Sequence, residues 1–371
     1  MKMLELRAGP RALAHIRAHG LRPQDIDIVP GAAGGPKGLG LAKLDEWLFA
    51  DWLPQGFALR HEPINLIGAS IGAWRFAAVC RGNGANIIDS TRAALAEFAE
   101  GYCTQKYPRK ASAAFVSGYV RDLLAKLFSG READVLTHPH YQLNVLAVRG
   151  KGILHREARG LASARTPAGF ALAAIANAAS RKHLRHFLER VWFTPSQQHQ
   201  LLAEGEKFDA FSTHHVKLTP QNFSQALIAS GSIPLVLEGV ADIPGARAGT
   251  YWDGGLIDYH LHLPYSRAAG LVLYPHFTNK IVPGWLDKAL PWRKAGGAWL
   301  DNVVLISPSQ AYLARLPFNK LPDRNDFKRF IDDYEGRQKY WRFAIGESAR
   351  LRDDLAGLIA SGNIAERLTP L

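Results

Sequence analysis

Hydrophobic and polar residues alternate from Asp25 to Val29, the period-two pattern of a strand with one covered face. Glycines then crowd positions Gly31 to Gly40, and Leu41 to Asp51 follows a helical spacing. The order recurs at once. Ile64 to Ile67 is β-prone, Gly68 to Gly72 is a tight small-residue turn, and the chain reads as helical from Ala73. Two strand–turn–helix units in succession predict a parallel sheet with helices on its faces. Upstream, Pro10 in the first turn and Gly20 past the end bound a short helix. Residues 85–200 read as mostly helical, with one strand at Gln142–Val148. Later strands are expected at Phe208–Ser212, Gly249–Trp252, Leu271–Tyr274 and Val303–Ile306. Thr219-Pro220 opens a helix with a capping residue and a proline at its first position, and residues 323–360 read as charged and helical. No repeat and no low-complexity linker interrupts the pattern. It predicts an α/β chain with three α/β/α layers over residues 1–320, a mostly helical insertion over about 101–200, and a helical C-terminal extension over 321–371.

Residues 181–192, RKHLRHFLERVW, carry Leu184, Phe187, Leu188, Val191 and Trp192 at the spacing of one helical stripe, flanked by Arg181, Lys182, Arg185 and Arg190. Such a basic amphipathic helix suits a membrane interface. Packing against a core is the commoner use of the same stripe. Trp285, Trp292 and Trp299, among Lys280, Lys288, Arg293 and Lys294, pose the same choice.

Of the 371 residues 47% are hydrophobic and 21% charged, which excludes a disordered polymer and a collagen-like repeat. The formal charge is +12, and it is concentrated: residues 101–200 hold 15 basic and five acidic side chains. That block suggests an anionic partner or a solvated basic surface. Cys80 and Cys103 are too few for a disulfide framework or a cysteine zinc site, so a reducing compartment is expected. Glu5, Arg7 and Arg11 interrupt any secretory apolar core, and no apolar run approaches the ~18 residues of a spanning helix. The expectation is a soluble cytoplasmic protein that can touch membranes peripherally.

The loop GAAGGPKGLG, Gly31 to Gly40, admits several chemistries. A phosphate-binding P-loop needs a hydroxyl after its lysine, but Gly38 follows Lys37. A dinucleotide loop needs GxGxxG, and the spacing here is reversed. An oxyanion hole built from backbone N–H groups remains, as does a plain tight turn. GASIG, Gly68 to Gly72, fits the GxSxG nucleophile elbow between a strand and a helix, which would present the Ser70 hydroxyl. Its base in the common arrangement is a late histidine, for which His260, His262 and His276 are available. None lies in a distinctive motif. Tyr251-Trp252-Asp253-Gly254-Gly255 instead places an aspartate at a strand end before two glycines, where a poorly hydrated carboxylate could take the serine proton directly.

Four blocks, in this order, resemble the patatin-like phospholipases, a family of lipid acyl hydrolases. They are Ala33-Gly34-Gly35-Pro36-Lys37-Gly38, Gly68-Ala69-Ser70-Ile71-Gly72, Ala229-Ser230-Gly231-Ser232-Ile233-Pro234 and Asp253-Gly254-Gly255. The resemblance runs from about Val29 to Pro264. It implies the family's three-layer hydrolase fold with a mainly parallel sheet, Ser70 as nucleophile, Asp253 as base, and N–H groups of Gly34 and Gly35 as the oxyanion hole. Lys37, Gly38, Gly68, Gly72, Gly254 and Gly255 would support the loop and turns. Ala33 and Lys37 stand where the family usually has glycine and arginine, and Pro36 has no N–H to donate. Ser230 and Ser232 would pack and cap. No metal or organic cofactor is implied.

The expected activity is phospholipase A-like hydrolysis of acyl esters, with lipid as substrate and peripheral contact with anionic membrane. The alternatives are a soluble esterase or thioesterase on the same dyad, and a non-enzymatic basic module binding membrane or nucleic acid. No helix-turn-helix, zinc or RNA-recognition signature accompanies the charge, so no specific nucleic acid is expected. The position of the basic block between Ser70 and Asp253 predicts that its charges gather at the mouth of the site.

Overall fold

Among the described residues short apolar runs supply eleven strands, and all join one sheet. The computed structural model describes residues 2–83, 86–158, 160–196, 201–202 and 208–371. In chain order the strands are β1 (Leu4–Ala8), β2 (Ile26–Gly31), β3 (Ile64–Ala69), β4 (Tyr141–Gly150), β5 (Leu188–Thr194) and β6 (Thr213–Lys217). They continue with β7 (Val240–Ala241), β8 (Thr250–Asp253), β9 (Leu271–Pro275), β10 (Val303–Pro308) and β11 (Leu368–Pro370). Across the sheet the order is β11-β1-β10-β9-β2-β3-β4-β5-β6, with β7 and β8 attached through β4. The pairing is mostly parallel, and helices alternate with the central strands. The protein is therefore an α/β protein, and its organisation is consistent with three α/β/α layers.

The two strand–turn–helix units sit side by side at the centre, where β2 and β3 pair in parallel. The helix after β3, Ile71–Arg81, is buried from Ile71 to Cys80. A helix covered on all sides needs apolar or small residues all round, and IGAWRFAAVC meets that requirement apart from Arg75, which faces buried Asp45 at 3.2 Å.

β4 is the longest strand and carries the arrangement of the site. β3 pairs with its first half in parallel, ending at Ala69 opposite Leu146. β8 pairs with its second half in the antiparallel sense, beginning with Asp253 opposite Ala147. β5 takes Val145 to Gly150 from the other edge. Strands β3 and β8 therefore approach tip to tip along one edge of β4, and their last residues face neighbouring positions of it.

The segment 181–192 is not a helix. Arg181–His186 forms a 3-10 turn and the rest enters β5, whose seven residues are all buried. A strand covered on both faces reads as a continuous apolar run rather than an alternation, and such a run can match a helical stripe by coincidence. Arg190, expected on a charged helix face, is fully buried. Its guanidinium binds Asp258 through two bonds of 2.7 and 2.8 Å and also binds Asp209 at 2.8 Å. Phe208 and Phe211 cover its face, with centroids at 4.6 and 5.7 Å. That explains why Phe208–Ser212 is irregular and the expected strand begins at Thr213: the two rings are used to enclose the guanidinium.

The helix expected from Thr219-Pro220 starts later, at Phe223. Thr219 and Pro220 lie in a turn held by Asn222, whose side chain accepts from the Thr219 N–H and donates to Lys217 and Pro244 carbonyls. Besides β5, three strands had no counterpart in the sequence pattern: β1, β11 and the two-residue β7, which pairs with β8 in the antiparallel sense. β1 joins β10 antiparallel, and β11 returns the C-terminus to β1 in parallel. The helices Asn325–Arg329, Tyr334–Glu347 and Ala349–Ala360 precede that return. Among the described residues, no helix is long and apolar enough to cross a membrane.

Replacing Arg190 by methionine strands two carboxylates in the interior, a loss of about 3–5 kcal/mol of stability for a buried pair. Urea unfolding of Arg190→Met should show it as a lowered midpoint.

Candidate active site

Ser70 follows β3 directly and has φ 57° and ψ −129°, a conformation rare for a residue with a side chain. The surrounding small residues accommodate this turn. A Cβ on Gly72 would lie 1.9 Å from the Gly31 carbonyl oxygen, so the elbow helix can approach β2 only if this residue is glycine. Gly68, the second-last residue of β3, is equally enclosed by the start of that helix. Ser70 is buried, at 4% exposure.

The third motif block braces the turn. Ser230 Oγ accepts from the Ser70 N–H at 2.9 Å and donates to the Leu146 carbonyl at 2.6 Å. The carbonyls of Ser230 and Ser232 accept from the Gly254 and Asp253 N–H groups at 3.3 and 2.9 Å. Ser232 Oγ caps its own helix by donating to the Ile228 carbonyl. One short segment thus holds the serine turn and the aspartate turn together. The sequence pattern indicated that Ser230 and Ser232 pack and cap, but not that Ser230 touches the elbow.

Asp253 is buried, at 5% exposure. Its Oδ1 accepts from the Gly255 N–H at 2.7 Å, while Oδ2 has no hydrogen-bond partner. Gly254 packs against the Leu146 carbonyl, and Gly255 opens the short helix Gly255–Asp258. Burial pushes the Asp253 carboxyl above its ordinary range, against the weaker opposing pull of the Arg324 cation, the Ser70 hydroxyl and the Gly255 N–H. The hydroxyl is near enough to favour the carboxylate without closing a hydrogen bond to Oδ2.

The loop after β2 turns into a 3-10 helix, Gly35–Leu41. Gly35 has φ 55°, which favours glycine, and it borders the same cavity as Ser70. The N–H groups of Gly34 and Gly35 have no acceptor among the described residues. Gly34 lies against the Phe277 ring, Gly38 against Ile71, and the Ala33 N–H is taken by the Tyr259 carbonyl. Lys37 is half-buried with its ammonium 5.1 Å from the Phe277 centroid.

Ser70 opens into a cavity of about 380 Å3, within the range of ligand pockets. Its walls are chiefly Ile71, Trp74, Tyr102, Val120, Leu237 and Phe327. Arg324 and Lys328 supply its cations. Clefts of about 410, 590 and 770 Å3 lie elsewhere, but none borders Ser70 or Asp253.

The basic block does not gather at this mouth. From residues 101–200 the cavity takes Tyr102, Gln105, Tyr107, Val116 and Val120, none of them cationic. Many of the block's arginines are committed elsewhere: Arg190 as above, Arg149 to Glu189, Arg181 to Asp287 and Arg131 to Asp134. Arg159 lies outside the described residues. Local charge density in sequence says nothing about which side chains the fold turns inward.

The late histidines are also elsewhere. His260 and His276 pack on each other with centroids 4.3 Å apart, and His262 packs on Trp299. None lines the Ser70 cavity. Burial drives His276 down to about 3 and His260 well below the ordinary imidazole range, which suits neither to general-base work. Trp285 and Trp299 pack inward, whereas Trp292 is 67% exposed.

Compared with models of known families and with curated proteins, the chain matches none.

Ser230→Ala leaves the Ser70 N–H and the Leu146 carbonyl buried without their shared partner, at roughly 1–3 kcal/mol for each unsatisfied group. Thermal denaturation should register the loss.

Proposed function

We propose that the protein is a serine acyl-ester hydrolase of the patatin-like type, phospholipase A-like in acting on acyl chains of lipids. One observation carries the reading: a buried serine in a strained strand-to-helix turn and a buried carboxylate end two strands that face neighbouring residues of β4. Free N–H groups at Gly34 and Gly35 and a largely apolar cavity of acyl-chain character support it. The side chain of Val236, 46% exposed, carries the apolar lining outward at the cavity rim.

In this reading Ser70 Oγ attacks the ester carbonyl while an Asp253 oxygen takes its proton. The unpartnered Oδ2 is the available acceptor. The carbonyl oxygen, now negative, is held by the Gly34 and Gly35 N–H groups. Preorganised donors of this kind contribute about 3–4 kcal/mol each to such transition states. Collapse of the tetrahedral species breaks the bond to the alcohol oxygen, which takes the proton from Asp253. Water then attacks the acyl-serine, giving its proton to Asp253. Departure of Ser70 Oγ as it regains that proton releases the carboxylic acid. The burial of Asp253 makes its carboxylate a better base than an exposed aspartate would be.

Ser70→Ala and Asp253→Asn should each reduce hydrolysis of acyl esters to background. A fluorophosphonate should label the native chain at Ser70 and leave Ser70→Ala unlabelled. Full activity in either variant would exclude the dyad. Vesicle-presented esters turning over no faster than monomeric ones would assign the same dyad to a soluble ester.

Asp253 must be ionised to accept the proton, so activity falls as the pH drops through its raised pKa. The acid limb of kcat/KM should therefore lie above 3.8, the ordinary value for the group, and should be absent from the residual rate of Asp253→Asn.

A further inference from the structure

Between Arg165 and Arg181 the chain has no charged residue. This stretch forms the helix Arg165–Ala179, whose two neutral polar side chains, Thr166 and Asn177, are both buried. Phe170 and Ala173 pack inward, Phe170 edge-on to Trp252 with centroids 5.2 Å apart. The opposite face, made of Ala168, Ala171, Leu172, Ile175, Ala178 and Ala179, is exposed. Steps of three and four residues set these six on one side of the helix. Its two large side chains are well exposed, Leu172 at 50% and Ile175 at 68%. A surface helix ordinarily turns charged or polar residues outward. This one is apolar on both sides, and a contiguous exposed apolar face marks a surface that something else covers.

Cations border the face at both ends. Arg165 opens the helix and is exposed, and Lys182 and Arg185 are exposed just beyond its last turn. Arg293 Nη2 donates to the Asn177 carbonyl at 2.9 Å, which brings the neighbouring Trp292, 67% exposed, to the same end of the helix. Lys294 shares a cleft of about 590 Å3 with Lys182 and Arg185. None of these three has an ion pair among the described residues. The carboxylate in that cleft, Asp209, is already held by Arg190, and Asp287 is held by Arg181.

We infer that the outer face of the helix Arg165–Ala179, with Trp292 and the cations at its end, is a docking surface for an anionic lipid bilayer. The helix lies along the bilayer surface. Leu172 and Ile175 enter the acyl boundary, Trp292 sits at headgroup level, and Lys182, Arg185 and Lys294 meet the headgroup phosphates. Charge decides against a second copy of the chain. Both ends of the face are basic, so a two-fold pairing brings cations together whether the helices run parallel or antiparallel. A protein partner draws most of its affinity from tryptophan, tyrosine and arginine at the centre of an interface. Here the centre is alanine, leucine and isoleucine, and the tryptophan and the cations lie at the edge. The docking does not depend on the acyl-hydrolase reading, because binding requires no turnover.

The test sediments the full-length protein with vesicles of phosphatidylcholine alone and of phosphatidylcholine mixed with phosphatidylglycerol. The native chain should bind the mixed vesicles in preference to the neutral ones, and added salt should weaken that binding. The double variant Leu172→Glu, Ile175→Glu should lose roughly tenfold or more in partition onto the mixed vesicles. Lys182→Glu with Arg185→Glu should remove the preference for anionic lipid. All four positions are exposed, so thermal denaturation should be unchanged in both variants. In a separate measurement, Ile175→Cys carrying an environment-sensitive fluorophore should shift to the blue on mixed vesicles, the native Cys80 and Cys103 being buried. No binding to mixed vesicles, binding that survives Leu172→Glu, Ile175→Glu unchanged, or a fluorophore at position 175 that stays in water overturns the docking surface. A dimer in analytical ultracentrifugation that the same double variant dissociates, without vesicle binding, gives the face to a second copy instead. Fluorophosphonate labelling of Ser70 is independent of all these results, so the hydrolase stands or falls separately.

Discussion

The register of β4 is the constraint on which the site depends. Ala69 faces Leu146, and Asp253 faces Ala147. Consecutive residues along a strand are separated by about 3.3 Å, so the two strand ends are brought together by backbone hydrogen bonding before any side chain contributes. A slip of one residue in either pairing would turn its side chains to the opposite face. The brace from Ser230 and Ser232 secures the same two turns from the helix side, through bonds to the N–H groups of Ser70, Asp253 and Gly254. Strain at Ser70 is thereby held by two independent sets of contacts.

Exclusion of water gives the arrangement its chemistry. A carboxylate at the surface would be well solvated and a weak base. At Asp253 burial outweighs the Arg324 cation, the Ser70 hydroxyl and the Gly255 N–H, and the carboxyl shifts upward. The enclosure draws on distant parts of the chain: Ala33 from the glycine loop, Pro234 from the brace, Trp285 and Arg324 from much further on. The C-terminal region is therefore part of the site's wall, and its last strand is part of the sheet.

The charge of the protein divides into three uses. Several arginines of the 101–200 block are structural counter-ions, with Arg190 the extreme case, since it ties β5 to the helix that follows Asp253. Others, such as Lys182 and Arg185, border a separate surface cleft. The cations that border the Ser70 cavity, Arg324 and Lys328, come from the C-terminal region. A total of +12 thus conveys little about where an anion would bind.

By itself the sequence determined the parts whose geometry is local. The order strand, small-residue turn, helix at Ile64–Arg81 is specified by neighbours in the chain, because only glycine tolerates the contact at Gly72 and apolar or small residues, with ion-paired Arg75 as the exception, fill a helix buried all round. The Asp-Gly-Gly turn at the end of β8 was legible for the same reason. The tertiary structure decided whatever depends on partners far along the chain. It made 188–194 a central strand, because a doubly buried run carries no period that separates strand from helix. It buried Arg190, joined Ser230 to the elbow, kept the late histidines away from Ser70 and set Arg324 beside Gly35. No spacing within a segment encodes these contacts, since each arises from which strands share an edge of β4 and from which segments pack around that edge.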